Sequence, residues 1–148
     1  MRLPGLRRRR RGDDGAAAVE FALIVPFVVL LLFGIISYGY MLSFRQAISQ
    51  GAAEGVRAAA ITISGTTTEQ RELLAKNAVE AALATYGVSC SGAMTCTIDA
   101  DATCGTATCV KVKLNYNYAA KPLTPAIPGI GLVMPDNLVY EAVAEVAP

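Results

Sequence analysis

From Phe21 to Phe44 the chain runs 24 residues without a charge, and nearly every position is apolar. At ~1.5 Å per residue a helix of that length reaches roughly 36 Å, enough to cross a ~30 Å hydrocarbon core with some tilt. Pro26 lacks an N–H and crowds the carbonyl of Ala22, which predicts a kink that a membrane tolerates. Tyr38 and Tyr40 fall near the far end, where an aromatic belt would sit. After the run the pattern stays helical but turns to small residues. Gly51, Gly55 and Ala59 stand four apart and share one helix face. Small residues at this spacing admit a second backbone closely, either the chain's own sheet or another subunit. Glu54 and Arg57 make an i, i+3 pair worth only a few tenths of a kcal/mol (~0.2–0.5). One long helix thus continues from the span into the domain that follows.

Ser64-Gly65 breaks this helix. Thr66 to Glu69 then reads as a capping box, with Thr66 as N-cap and Glu69 at N3. The second helix runs to about Tyr86, and Gly87 is its natural stop. Glu69, Glu72, Lys76 and Glu80 form its polar stripe, and Leu74, Ala75, Ala78, Val79, Ala82 and Tyr86 its apolar side. The period then changes from helical to alternating. Met94, Cys96, Ile98 and Ala100 alternate with polar or small residues, and Val110, Val112, Leu114, Tyr116 and Tyr118 alternate with Lys111, Lys113, Asn115 and Asn117. Asp101 to Gly105 suits a hairpin turn. A Pro/Gly-rich loop from Pro122 to Pro135 precedes a last strand, Leu138 to Val146, expected beside the Val110 strand with Glu141 and Glu145 toward solvent. The fold class is α+β: a long N-terminal transmembrane helix, then a small domain with a second helix and about three antiparallel strands. The expected divisions are a basic leader over residues 1–15, a transmembrane helix over 16–44 and a domain over 45–148.

Charge sets the orientation. The net charge of +1 conceals six arginines in residues 1–15 (Arg2 and Arg7 to Arg11) against Asp13 and Asp14. Past the leader, seven Lys/Arg face ten Asp/Glu. A basic block directly before an apolar run places the N-terminus in the cytoplasm and the C-terminal domain outside. The block is short and abuts the span, which argues against a nucleic-acid-binding arm. The run is too long for a typical secretory signal, and no small-x-small cleavage site closely follows its core. The four cysteines, Cys90, Cys96, Cys104 and Cys109, then lie on the oxidising side, where disulfides form. Two bridges allow three connectivities, and the spacing does not choose among them. Zinc is the rival reading, but the CxxC knuckles and any histidine are lacking.

Enzyme constellations are not found in this sequence. Without histidine there is no Ser-His or Cys-His dyad. Neither GxGxxG nor GxxxxGK[ST] occurs. Asp99 and Asp101 read as turn and solvent residues. The expectation is therefore no catalytic residue, no cofactor and no metal.

One acid stands apart. In Gly15-Ala16-Ala17-Ala18-Val19-Glu20-Phe21 a glutamate sits at the mouth of the hydrophobic span. A carboxylate well inside hydrocarbon costs on the order of 2.5–3.5 kcal/mol on insertion scales, so Glu20 wants a partner unless it only marks the interface. A cut after Gly15 would give Ala16 a new α-ammonium one helical turn from Glu20, on the same face. Glu20 would then pair with its own amine or with a neighbour's, and the first turn of a helix also favours an acid.

With the basic leader, the segment G-AAAVEF-A-x-x-x-P and the apolar stretch ending Phe33-Gly34-Ile35, the sequence resembles type IV prepilins. It is most similar to the TadE-like family of the tight-adherence (Flp pilus) machinery of bacteria. Arg45-Gln46-Ala47 and Ala53-Glu54-Gly55-Val56-Arg57-Ala58-Ala59 extend the likeness over residues 12–60, with a looser match at the terminal strand. The resemblance implies that a prepilin peptidase cuts after Gly15, leaving Ala16 as N-terminus and Glu20 as the acid at mature position five. Phe21 stands where major Flp pilins usually carry tyrosine, and the outer domain exceeds theirs. Both departures point to a minor pilin or assembly protein. The implied partners are the membrane, the prepilin peptidase, other pilins and the assembly platform proteins, with no nucleic acid. The implied location is the bacterial cell membrane or the pilus. The alternative is a permanently anchored extracytoplasmic binding domain that never enters a filament.

Overall fold

A computed structural model describes residues 13–61, 65–124 and 134–146. The leader arginines, Ser64 and most of the Pro/Gly-rich segment lie outside the described residues. The first helix, α1, runs from Asp13 to Ala60 with Pro26 inside it. Two compact units divide between Ile36 and Ser37. In the first, the helix from Phe21 on is apolar on all sides and no described residue covers it: Phe21 is 70% exposed, Phe27 73% and Phe33 53%. Leaving such side chains in water forgoes roughly 1.5–3 kcal/mol each, so this stretch requires an apolar environment. It is long and apolar enough to cross a membrane.

The second unit is an α+β domain in which the rest of α1 supplies one wall of the core. Ser37, Met41, Phe44, Ile48, Ala52, Val56 and Ala59 are all buried, a stripe at helical spacing. The second compact unit thus starts inside the uncharged run, at Ser37. The last turns of the apolar segment pack on protein.

The second helix, α2, spans Thr68–Leu83 and tightens into a 3-10 turn over Ala84–Tyr86, ended by Gly87 in the left-handed region at φ +63°. Its capping box is one residue later than expected. Thr67 Oγ1 accepts from the Gln70 N–H at 3.3 Å, and Gln70 Oε1 accepts from the Thr67 N–H at 3.0 Å. Thr66 and Glu69 have the same spacing; with Thr67 as the cap, Glu69 stays in the first turn, where the helix dipole favours an acid. Ala75, Val79 and Leu83 are the buried residues of α2. Leu83 joins the core although the sequence stripe omitted it, while Leu74 remains 44% exposed.

Three strands, β1 (Met94–Cys104), β2 (Ala107–Asn117) and β3 (Asn137–Glu145), form an antiparallel sheet in the order β1-β2-β3. The alternation in β2 sends Val110, Val112, Leu114, Tyr116 and Tyr118 into the core and Lys111, Lys113, Asn115 and Asn117 to solvent. β1 runs further than expected. The turn is Gly105-Thr106, and Asp101 lies within the strand at a register shift between Asp99 and Ala102. There the Asp101 N–H donates to Asp99 Oδ1 at 3.1 Å. A bulge takes up the extra residues that the sequence pattern assigns to a turn. β3 pairs with β2 without interruption from Cys109↔Glu145 to Asn117↔Asn137. Glu141 and Glu145 are both on the exposed side.

Across the outer sheet face Lys111 Nζ meets Glu141 Oε1 at 2.9 Å, on a diagonal between neighbouring strands. The hydrogen bond from Lys111 holds the Glu141 carboxyl below its ordinary range, and the same bond raises Lys111. The sign follows from linkage: this contribution is present at neutral pH, is lost on acidification through the Glu141 pKa and on alkalinisation through that of Lys111. Both groups are solvent-exposed, so the pair aligns the strands more than it stabilises them.

Candidate functional site

The residues singled out in the sequence fall into three separate sets. Gly15, Ala16, Glu20 and Phe21 lie on the uncovered part of α1, in the first unit. Ala16 and Glu20 are one turn apart on the same face, as helical spacing requires. The Glu20 side chain is exposed and makes no hydrogen bond or ion pair among the described residues. Val19 and Phe21 beside it are 61% and 70% exposed. The acid thus stands on an otherwise apolar surface with its pairing capacity unused.

The second set, Gly51, Gly55 and Ala59, lies in the core of the second unit. A Cβ on Gly55 would stand 2.8 Å from Val79 Cγ2 and 3.4 Å from the Ala75 carbonyl oxygen. On Gly51 it would meet Ala82 Cβ and Leu83 Cγ at 3.6 Å, ordinary contact. The small face therefore admits α2, with Val112 of the sheet 3.5 Å from the Gly55 position. It is occupied within the domain and does not face a neighbouring subunit here. Two substitutions separate the tight point from the loose one. Gly55→Leu is expected to destabilise the domain by about 3 kcal/mol, because the buried, β-branched Val79 cannot move aside. Gly51→Ala is expected to be neutral or to gain up to ~1 kcal/mol of helix propensity. Denaturant midpoints of the full chain in detergent check both.

The third set is paired. Cys90 bonds to Cys96 and Cys104 to Cys109, with Cα–Cα separations of 5.4 and 5.9 Å, within the range a disulfide requires. The first pair ties the segment after α2 to β1, and the second closes the β1–β2 hairpin. All four sulfurs are used in these two pairs. The Cys90 N–H also donates to Glu80 Oε1 at 3.1 Å, so Glu80 of the polar stripe fixes the same segment.

An aromatic cluster joins α1 to the rest of the domain, and sequence pattern did not reveal it. Phe44 lies 5.1 Å from the Tyr86 ring and 4.9 Å from that of Tyr116, and Tyr40 lies 5.7 Å from Tyr86. Tyr86 Oη and Ser43 Oγ share a hydrogen bond at 2.6 Å. Tyr116 Oη donates to the Lys121 carbonyl at 2.8 Å, and burial pushes its phenol pKa up. The partners come from α1, the 3-10 turn and β2, so only the fold brings them together.

These surfaces suit packing: an apolar stretch of α1 that the described residues leave uncovered, with Glu20 unpaired among them, and an α+β core on the later part of α1. No group of three or more potential metal ligands occurs among the described residues. No curated protein and no solved structure matches the chain. Residues 15–57, which hold the candidate cleavage site, the uncovered helix and the glycine face, match the model of the TadE-like protein family, the family that the pattern of these residues resembles.

Proposed function

We propose that this protein is a pilin-like subunit of a tight-adherence pilus system, a minor pilin or assembly protein that works by packing its N-terminal helix against other subunits. The observation that carries the reading is the match of residues 15–57 to a family associated with Tad pili, over a helix whose stretch before Ser37 leaves its large apolar side chains exposed. The bilayer holds that helix before assembly, and neighbouring helices replace the lipid afterwards. Glu20, exposed and unpaired, supplies the polar contact that fixes the axial register, because an apolar helix alone can slide along its neighbours. Catalysis has no place in this reading, and the disulfide-braced domain is the part displayed.

Processing is the first point to test. Intact mass and N-terminal sequencing of the protein from membranes containing its own pilus machinery should find a mature chain beginning at Ala16. A chain that retains the arginine leader would remove the α-ammonium partner for Glu20. The reading of a permanently anchored binding domain would then be the better one.

A further inference from the structure

Where the uncharged run ends, α1 presents a graded side. Tyr38, Leu42, Arg45 and Ser49 recur at i, i+4, i+7 and i+11, so they share one stripe. Tyr38 is 48% and Leu42 39% exposed, and the Arg45 side chain is exposed as well. Between this stripe and the start of β3 runs a groove lined by Leu42, Arg45, Gln46, Ser49 and Tyr140, which continues past Arg45 along Val139. Tyr140 is 41% exposed although it points to the helix side of the sheet.

Three features of the groove bear on what it takes. Arg45 is the first charge after the 24-residue run, and it forms no ion pair among the described residues. No carboxylate lines the groove, so its only formal charge is positive. Its polarity is ordered along the helix: aliphatic at Leu42, cationic at Arg45, hydroxyl and amide at Ser49 and Gln50. Leu42 and Arg45 are about one turn apart, and Arg45 and Ser49 another, at ~5 Å per turn. A headgroup layer of roughly 5–8 Å per leaflet has that thickness and that order of polarity.

We propose that this groove binds the headgroup of an anionic phospholipid. The Arg45 guanidinium forks onto the phosphate oxygens, Tyr140 lies against the glycerol region, and the first methylenes run along Leu42. A net anionic headgroup is favoured over a zwitterionic one, because a quaternary ammonium would bring a second cation beside Arg45. The proposal rests on the membrane-anchored reading of α1.

The test is native mass spectrometry of the full chain in a mild nonionic detergent, offered phosphatidylglycerol or phosphatidylcholine in mixed micelles. The expected result is retention of phosphatidylglycerol over phosphatidylcholine, with affinity lowered about tenfold in Arg45→Gln, the scale of one charged hydrogen-bonding partner. Arg57→Gln, whose arginine pairs with Glu54 at 3.9 Å, should retain the lipid as wild type does. Equal lipid retention by Arg45→Gln and wild type would overturn the proposal. So would displacement by inorganic phosphate at equal concentration, which would make the groove a site for small anions, or a pilin subunit that occupies it and excludes lipid. Recovery of the wild-type chain from the soluble fraction of cells would instead sink the anchored reading itself, and the two failures are told apart by fractionation alone.

Discussion

Phe44→Ala is expected to destabilise the domain by about 3–5 kcal/mol, the cost of a large cavity in a packed core, while Phe33→Ala leaves unfolding of the domain unchanged. The two phenylalanines stand in the same uncharged run, and composition does not distinguish them. Phe44 is fully buried between Tyr86 and Tyr116, whereas Phe33 is 53% exposed. Urea titration of the full chain in detergent, followed by the tyrosine near-UV signal, measures both. With a slope of ~1–3 kcal/mol per molar, the Phe44 variant should lose a molar or more of its midpoint. Equal midpoints for wild type and Phe44→Ala would mean that the end of α1 is not part of the folded core.

Glu20→Ala is expected to abolish co-purification with other pilins while the protein remains in the membrane fraction. Removing one partner of a buried charge pair leaves the other uncompensated, at a cost of roughly 3–5 kcal/mol, or about two to four orders of magnitude in affinity. The substitution also makes the helix more apolar, so weaker membrane insertion cannot account for the loss. Glu20→Gln tests the charge separately, since it keeps the shape and part of the hydrogen bonding. If the Glu20→Ala chain associates as wild type does, the register role fails and the acid only marks the interface.

The architecture was legible because most of the chain shows a single period at a time. Alternation over Val110 to Tyr118 can only bury one face of a strand, and β2 does so at every position. The terminal strand and its pairing beside β2 followed from the same logic. What escaped reading did so for definite reasons. In the uncharged run nearly every position is apolar, so the buried stripe of Ser37, Met41, Phe44 and Ile48 leaves no periodic trace. A membrane and a protein core select the same residues there. The threonine run before α2 offers two capping boxes of the same spacing, and the structure forms the one between Thr67 and Gln70. Four cysteines permit three pairings, and the structure joins each to its nearest neighbour in sequence. The graded side of α1 was invisible because the other wall of its groove comes from residues 135–140, about 90 positions away.

Both disulfides lie within residues 90–109, with sequence separations of only 6 and 5. Loops so short restrict the unfolded chain by about 2 kcal/mol each on the chain-entropy account, and neither bridge reaches α1. Tension applied along α1 is therefore borne by noncovalent contacts, among them Phe44 against its two tyrosine rings, the Ser43–Tyr86 hydrogen bond and the closely fitted Gly55–Val79 crossing. The helix is the part of the domain that would slip first under load, with the hairpin behind it still intact.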